Sequence, residues 1–180
     1  MYRAHVYSVW SVDFSPNGRL LVSSSWGGAV HVWNMRDGSA RLFTDNSDAL
    51  STSSLSVRFS PGGQFVAAGD IDGDLRIWNV RTGRLVRRWT GHEGSIWSIA
   101  FMTDGKVLVS GGKDGVVKCW DVSSLSGGEP VATMILKYKG IAVRLFLFIS
   151  FPLANAPFFY TRAESIQWLF LPIRSGLPPV

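Results

Sequence analysis

The stretch SVDFSPNG (residues 11–18) returns as SVRFSPGG at 56–63 and as SIAFMTDG at 98–105, and this recurrence decides the fold. Each copy runs on into an apolar segment, a Gly-rich turn and a strand closing on tryptophan, at Trp33, Trp78 and Trp120. From Trp to Trp the spacings are 45 and 42 residues, and Phe14, Phe59 and Phe101 keep the same two intervals. The copies are therefore in register at both ends. Self-similarity at such a period marks stacked units, each burying its apolar faces against its neighbours.

Each unit reads as four short strands. In the first they are SVWSVDF (8–14), RLLVSS (19–24), AVHVWN (29–34) and ARLFT (40–44), rich in β-branched and aromatic residues and bounded by turn signals. Pro16-Asn17-Gly18, Pro61-Gly62-Gly63 and Asp104-Gly105 read as hairpin corners, where Pro presets the first bend and Gly supplies a positive φ. No amphipathic helical period precedes residue 137. The expected fold class is all-β: a partial β-propeller of three four-stranded antiparallel blades in an open arc. The blades cover about 4–44, 45–90 and 91–136, and a non-repeat C-terminal tail follows over 137–180.

Composition narrows the function. With 46% hydrophobic and 17% charged residues in 180, the chain has the makings of a packed core and not of a disordered segment. A single cysteine, Cys119, excludes an internal disulfide and a Cys-rich zinc site, which suits a reducing compartment. The opening MYRAHVYSVW has no apolar run of signal-peptide length. The net charge of +5 sits mostly outside the repeats: residues 1–136 carry 13 Lys and Arg against 12 Asp and Glu, residues 137–180 five against one. A surface that reads nucleic acid clusters its cations on one face. Here the one tight cluster, Arg84, Arg87 and Arg88, reads as the charged guard of an outer strand. No direct reading of nucleic acid is expected.

In the third copy His92, Ser110, Asp114 and Trp120 stand with Ser four before Asp and Asp six before Trp. Each polar group, buried alone, would cost about 1–3 kcal/mol, so together they read as one hydrogen-bonded set. Ser, His and Asp are also the residue types of a nucleophilic triad, which needs an exposed hydroxyl, an oxyanion hole and a pocket. Recurrence with the structural period favours the tie over catalysis. The first copy keeps His5, Ser23 and Trp33 with Gly27 at the Asp position; the second keeps Asp72 and Trp78, with Leu50 and Ala68 replacing His and Ser. Local stability is therefore expected to rise toward the third copy. The chain has no HExxH, GxSxG or GxxxxGK[ST], and His5, His31 and His92 lie apart in sequence, so no catalytic residue, metal or cofactor is expected.

Through Gly91-His92, Trp120-Asp121, Trp33-Asn34 and Trp78-Asn79, residues 4–136 resemble the WD-repeat family. Within it, residues 65–101 and 104–122 resemble the Tup-type, Groucho-like fungal transcriptional co-repressors. Two details shared with that group are the lost Gly-His before the second copy, in DNSDALSTSSLSV (45–57), and an aromatic residue inside the first strand of copies one and three. The resemblance implies a non-catalytic protein-interaction scaffold in the nucleus, recruited by DNA-bound repressors or joined to co-repressor subunits. The alternative is an adaptor in another pathway, such as a ubiquitin-ligase substrate receptor or a signalling β subunit, with the cytoplasm as the other compartment. It further implies that partners dock on the narrow face, at positions occupied here by Trp10, Trp26, Ile71, Trp97 and Lys113. Large aromatics at an interface centre are the usual hot spots. The competing readings are packing between blades for Trp10 and Trp97, and filling of the space left by the missing turn Asp for Trp26.

Propellers have four to eight blades closed into a ring, so three need further blades or self-association. An open arc leaves apolar faces bare at its two ends. The pattern stops after Leu136, where KYKGIAVRLFLFISFPLANAPFF (137–159) takes over. Ile141–Pro152 is twelve residues interrupted by Arg144 and Ser150, short of the roughly 20 apolar residues a membrane span needs. With five prolines and one acidic residue, the tail reads as a gene-model artefact or a disordered segment; the rival reading is an amphipathic cover for the open blade.

Overall fold

Three turns of the same build open the three sheets. The amides of Gly18, Gly63 and Gly105 donate to the carbonyls of Ser15, Ser60 and Met102 at 2.8, 2.8 and 2.9 Å, and φ at these glycines is 67°, 68° and 70°. A β-carbon is disfavoured at that φ, which is why glycine recurs there.

The computed structural model describes residues 5–43, 53–124 and 132–137. The first sheet is β1 (Val9–Phe14), β2 (Leu20–Ser25), β3 (Val30–Asn34) and β4 (Ala40–Phe43). The second is β5 (Ser54–Phe59), β6 (Phe65–Asp70), β7 (Asp74–Asn79) and β8 (Leu85–Thr90). The third is β9 (Ile96–Phe101), β10 (Val107–Gly112), β11 (Val116–Asp121) and β12 (Ala132–Lys137). Each is an antiparallel meander paired in chain order, and no helix occurs among the described residues. This is the expected all-β arc of three blades. One boundary shifts: Lys137 pairs with Val116 as the last rung of the third sheet, so the repeat runs one residue past 136. Leu50 and most of the altered entry to the second blade, 44–52, lie outside the described residues, as does the tail beyond 137.

Side chains alternate across a strand, and the second blade uses both sets. Val66, Ala68, Trp78 and Val80, with Val57 and Phe59, pack against Val22, Val30, Val32 and Phe43 of the first blade. Ala67, Leu75, Ile77 and Trp89 pack against Ile96, Ile99, Leu108, Trp120 and Val122 in the third. A sheet covered on both faces has no polar side to display, which explains the nearly continuous apolar strands. The inner strand β5 lies beside β1 on one side and β9 on the other. β1 itself is different: Val12 and Phe14 are 55% and 57% exposed, whereas Val57 and Phe59 at the same repeat positions are 0% and 6%. Among the described residues no sheet covers that face of the first blade.

Candidate protein-binding face

In the third blade the loop before β9, strand β10, the β10–β11 turn and strand β11 bring four side chains together. Trp120 Nε1 donates to Ser110 Oγ at 2.8 Å, and Ser110 Oγ lies 2.7 Å from His92 Nε2. His92 Nδ1 lies 3.0 and 2.9 Å from the two carboxylate oxygens of Asp114. A carboxylate only accepts, so Nδ1 carries the proton, Nε2 accepts the Ser110 hydroxyl, and Ser110 accepts the indole N–H. One neutral tautomer satisfies the whole chain. Burial pushes His92 below its ordinary pKa although Asp114 pulls the other way. Burial alone would raise Asp114, but hydrogen bonds from His92 and from the amides of Val116 and Glu93 hold it below the usual carboxylate range. Gly112 is part of the arrangement, because a β-carbon there would run into His92 Nδ1 and Asp114 Oδ1. Ser110 is buried with its hydroxyl engaged on both sides, so it offers no accessible nucleophile.

The other two blades solve the same problem with different residues. In the first, Ser23 Oγ lies 2.6 Å from His5 Nε2 and accepts from Trp33 Nε1 at 2.8 Å. Gly27 stands where Asp114 does, and His5 Nδ1 is buried without an acceptor. His31, from β3, meets His5 edge to face with ring centroids 4.6 Å apart. In the second blade the expected tie through Asp72 is corrected. Asp72 is exposed, and its amide donates to Asp70 Oδ1 at 3.0 Å, as does that of Asp74 at 2.8 Å. The buried carboxylate is Asp70, whose Oδ2 pairs with Arg76 Nη1 at 2.9 Å. Trp78 is buried, on the side that faces Phe43 of the first blade. Sequence reading missed this pair, although a signal was there: Asp70 and Arg76 occupy the repeat positions of Gly112 and Lys118 inside otherwise apolar strands. With no His and Ser to satisfy, the second blade places opposite charges across its β6–β7 hairpin.

The five positions assigned to partner binding lie along one edge of the arc. The amides of Trp26, Ile71 and Lys113 donate to the carbonyls of Ser8, Ser53 and Ser95 at 3.0, 2.9 and 2.8 Å. Ser53 Oγ then donates to the Trp26 carbonyl, and Ser95 Oγ to that of Ile71 at 3.0 Å. Trp26 and Ile71 are thus each pinned to their own blade and to the next, and Lys113 to its own. Trp10 and Trp97 are the extra residues of β-bulges, since the β1–β2 ladder skips from Val9 to Ser11 and the β9–β10 ladder slips between Gly111 and Gly112. A bulge re-aims the side chain it carries. Trp10, Trp26 and Trp97 are 50%, 47% and 51% exposed, Lys113 is exposed and Ile71 half-buried. Trp10 and Trp26 lean on each other with ring centroids 5.9 Å apart. Trp97 stays half exposed although β9 is flanked by the second blade, so packing between these blades does not account for it; Trp10 stands on β1, beside which no preceding sheet lies among the described residues. The Tyr7 ring lies over Gly27 and is itself exposed, so Tyr7, which the sequence reading passed over, enlarges the aromatic surface beside Trp26.

Elsewhere, Arg88 of the Arg84, Arg87, Arg88 cluster is held within its own sheet by Asp74, through Nε at 2.9 Å and Nη2 at 2.7 Å. Among the described residues no group of three or more His, Cys, Asp or Glu is placed to hold a metal ion, and no helix is long and apolar enough to cross a membrane.

A repeated four-stranded blade, laced by a buried polar tie and showing tryptophans along one narrow edge, defines a propeller-type interaction module. Residues 1–34, 48–79 and 83–121 match the family described as "WD domain, G-beta repeat", and the chain belongs to this WD-repeat family. Domains of this family mediate protein–protein interactions. The chain is similar to Protein tipD of Dictyostelium discoideum, 43% identical over 49 residues, which cover 27% of this chain and 8% of that protein. It is also similar to the Periodic tryptophan protein 2 homolog of Schizosaccharomyces pombe, 44% identical over 46 residues, 26% of this chain and 5% of that protein. The matched stretches span less than a tenth of either relative.

Proposed function

We propose that this chain is a non-catalytic scaffold whose narrow face, built on Trp10, Trp26 and Trp97 with Ile71 and Lys113 alongside, takes a partner protein. Trp97 carries the reading. The second blade is already packed beside β9, yet the indole remains 51% exposed on a bulge that aims it outward. Indoles desolvated at an interface centre commonly contribute about 2 kcal/mol or more to binding. Two further features agree with a non-catalytic role: Ser110 is engaged on both sides, and burial pushes the Cys119 thiol up, away from the reactive thiolate.

The finer reading is a nuclear co-repressor brought to promoters by DNA-bound repressors. It is supported by the resemblance of residues 65–101 and 104–122, and by the near-balanced charge of residues 1–136. In a pull-down with such a repressor, Trp97→Ala is expected to abolish capture while the circular dichroism spectrum stays unchanged; undiminished capture rejects the face. A second reading, an adaptor in another pathway, is kept because the names of the two relatives say nothing of transcription. Proximity labelling separates the two: repressors and chromatin proteins support the first, ubiquitin-ligase or signalling subunits the second.

A further inference from the structure

The near balance of charge over residues 1–136 hides a segregation that the folded blades bring out. The β1–β2 and β3–β4 turns, with β5–β6 and β7–β8 in the second blade, form the end of each sheet opposite the narrow edge. At this base the first two blades carry Arg19, Arg36, Arg41, Arg81 and Arg84 against one carboxylate, Asp37, and all six side chains are exposed. Asp13, next to last in β1, has Arg58 as its counter-charge. The third blade reverses the balance, with Asp104 and Asp121 against Lys106 at its base. Position by position, Arg36 and Arg81 fall where the third blade has Ser123, and Asn34 and Asn79 where it has Asp121. The narrow edge has no such excess. Its exposed acids are Asp72 and Glu93, its exposed cations Lys113 and Arg88, and Arg88 is taken by Asp74.

Arg41 draws the basic patch together across the seam between the two blades. Its Nη1 donates to the Arg81 carbonyl at 3.1 Å and its Nη2 to that of Val80. Its Nε and Cζ lie 3.2 Å from where a β-carbon of Gly83 would stand, so the guanidinium rests on the turn that carries both Arg81 and Arg84. The Phe43 ring supports it, with Cζ 5.1 Å from the ring centre. These contacts fix the position of the charge without supplying a negative one. In the first blade the Met35 amide donates to the Arg19 carbonyl at 2.9 Å, which sets Arg19 beside the turn that carries Arg36. Asp37 is occupied by Asn34 and by the amide and hydroxyl of Ser39. Among the described residues none of the five arginines enters an ion pair. Like charges gathered in this way repel, and a visiting anion relieves the repulsion. Arg19, Arg36, Arg81 and Arg84 stand on turns, which project from the strand ends and not from the faces where blades stack, so their exposure does not depend on which blades flank them.

We propose that this base docks an acidic segment of a partner protein, rich in Asp and Glu, as a second surface apart from the narrow face. Arginine suits that partner because its planar fork meets a carboxylate with two N–H groups at once. The exposed carboxylates in and beside the patch decide among polyanions: Asp37 lies within it, and Asp104 and Asp121 on the base of the third blade. The regular phosphates of a nucleic acid, or the continuous charge of an anionic membrane, would be set against them. A peptide can place a neutral or basic residue there. The inference goes beyond the binding function of the narrow face, and neither surface needs the other.

Fluorescence anisotropy of a fluorescein-labelled deca-glutamate peptide, titrated with the full 180-residue chain, tests the proposal. Residues 137–180 carry five cations against one acid and attract any polyanion, so the readout is which residues the binding depends on. Arg36→Glu, Arg81→Glu, Arg84→Glu and Lys106→Glu all change the net charge equally. Each arginine reversal is expected to weaken binding about fivefold in about 50 mM salt, and Lys106→Glu less than about twofold, with the difference fading as salt rises toward about 0.5 M. An equal loss in all four is an effect of net charge alone and overturns the proposal. So does no loss in any, or no binding below about 1 mM chain. Should a reversal change the circular dichroism spectrum, Arg81→Gln, Arg84→Gln and Lys106→Gln repeat the comparison, with about a twofold loss expected at the arginines and none at Lys106. Deca-thymidylate bound through the same arginines more tightly than deca-glutamate overturns the acidic segment in favour of nucleic acid. Sedimentation with phosphatidylserine vesicles, in place of peptide binding, overturns it in favour of a membrane.

Discussion

Ser110 shows how much one small side chain can hold at the residue scale. Ser110→Ala leaves the Trp120 N–H and His92 Nε2 buried without partners, an expected cost of about 2–4 kcal/mol, read from the urea midpoint. Ser23→Ala should cost less, roughly 1–2 kcal/mol, because its His5 partner is only half-buried and already lacks its acid. Asp70→Asn takes the charge from opposite buried Arg76 and is expected to cost about 3–5 kcal/mol. Acid should weaken the fold through the histidines. Burial lowers the pKa of His5, His31 and His92, so below about pH 6.5 the unfolded chain binds more protons than the folded one. Their contribution is full above that pH and is lost as pH falls through the folded values; a urea midpoint unchanged from pH 8 to pH 5 would contradict this. His92, Ser110, Asp114 and Trp120 were legible in sequence because polar residues recurring at one period inside apolar strands must satisfy each other. Asp70 and Arg76 were not, because they break that period, and only the β6–β7 register puts them in contact.

At the element scale the bulge of each inner strand separates two kinds of residue at one repeat position. Trp97 is carried outward in the third blade, whereas Leu55 at the matching place in the second is 6% exposed. Thermal or urea denaturation is expected to find Trp97→Ala within about 0.5 kcal/mol of the parent, as for surface substitutions, and Leu55→Ala lower by about 2–4 kcal/mol, as for core truncations. Strand positions were readable to within a residue or so from the turns and the alternation. The bulges were not. They add one residue without disturbing the composition of the strand, and only the pairing ladder reveals that Trp10, Leu55 and Trp97 stand outside it.

Across the whole molecule, burial ranks the blades differently from the polar ties. The third blade has the complete tie, from which stability is expected to rise toward it; among the described residues the second is the one packed on both faces. Each fully buried Leu or Ile contributes about 1.5–3 kcal/mol, against about 0.5–1.5 kcal/mol net for a hydrogen bond, so Leu75, Ile77, Val57 and Val66 outweigh one tie. Amide hydrogen exchange should accordingly be slowest in β5, β6 and β7 and faster in β1; uniform protection across the three blades would refute this order. By itself the sequence determined the repeat, its four-strand plan, its corner glycines and its family, because period, turn chemistry and alternation are local and act through near neighbours in the chain. The tertiary structure alone decided which tryptophans face outward, which carboxylate is buried in the second blade, and that among the described residues Val12 and Phe14 of the first blade are exposed where Val57 and Phe59 of the second are buried. Those outcomes depend on what lies across a sheet or between two blades, and residues some 45 positions apart meet there only once the chain has folded.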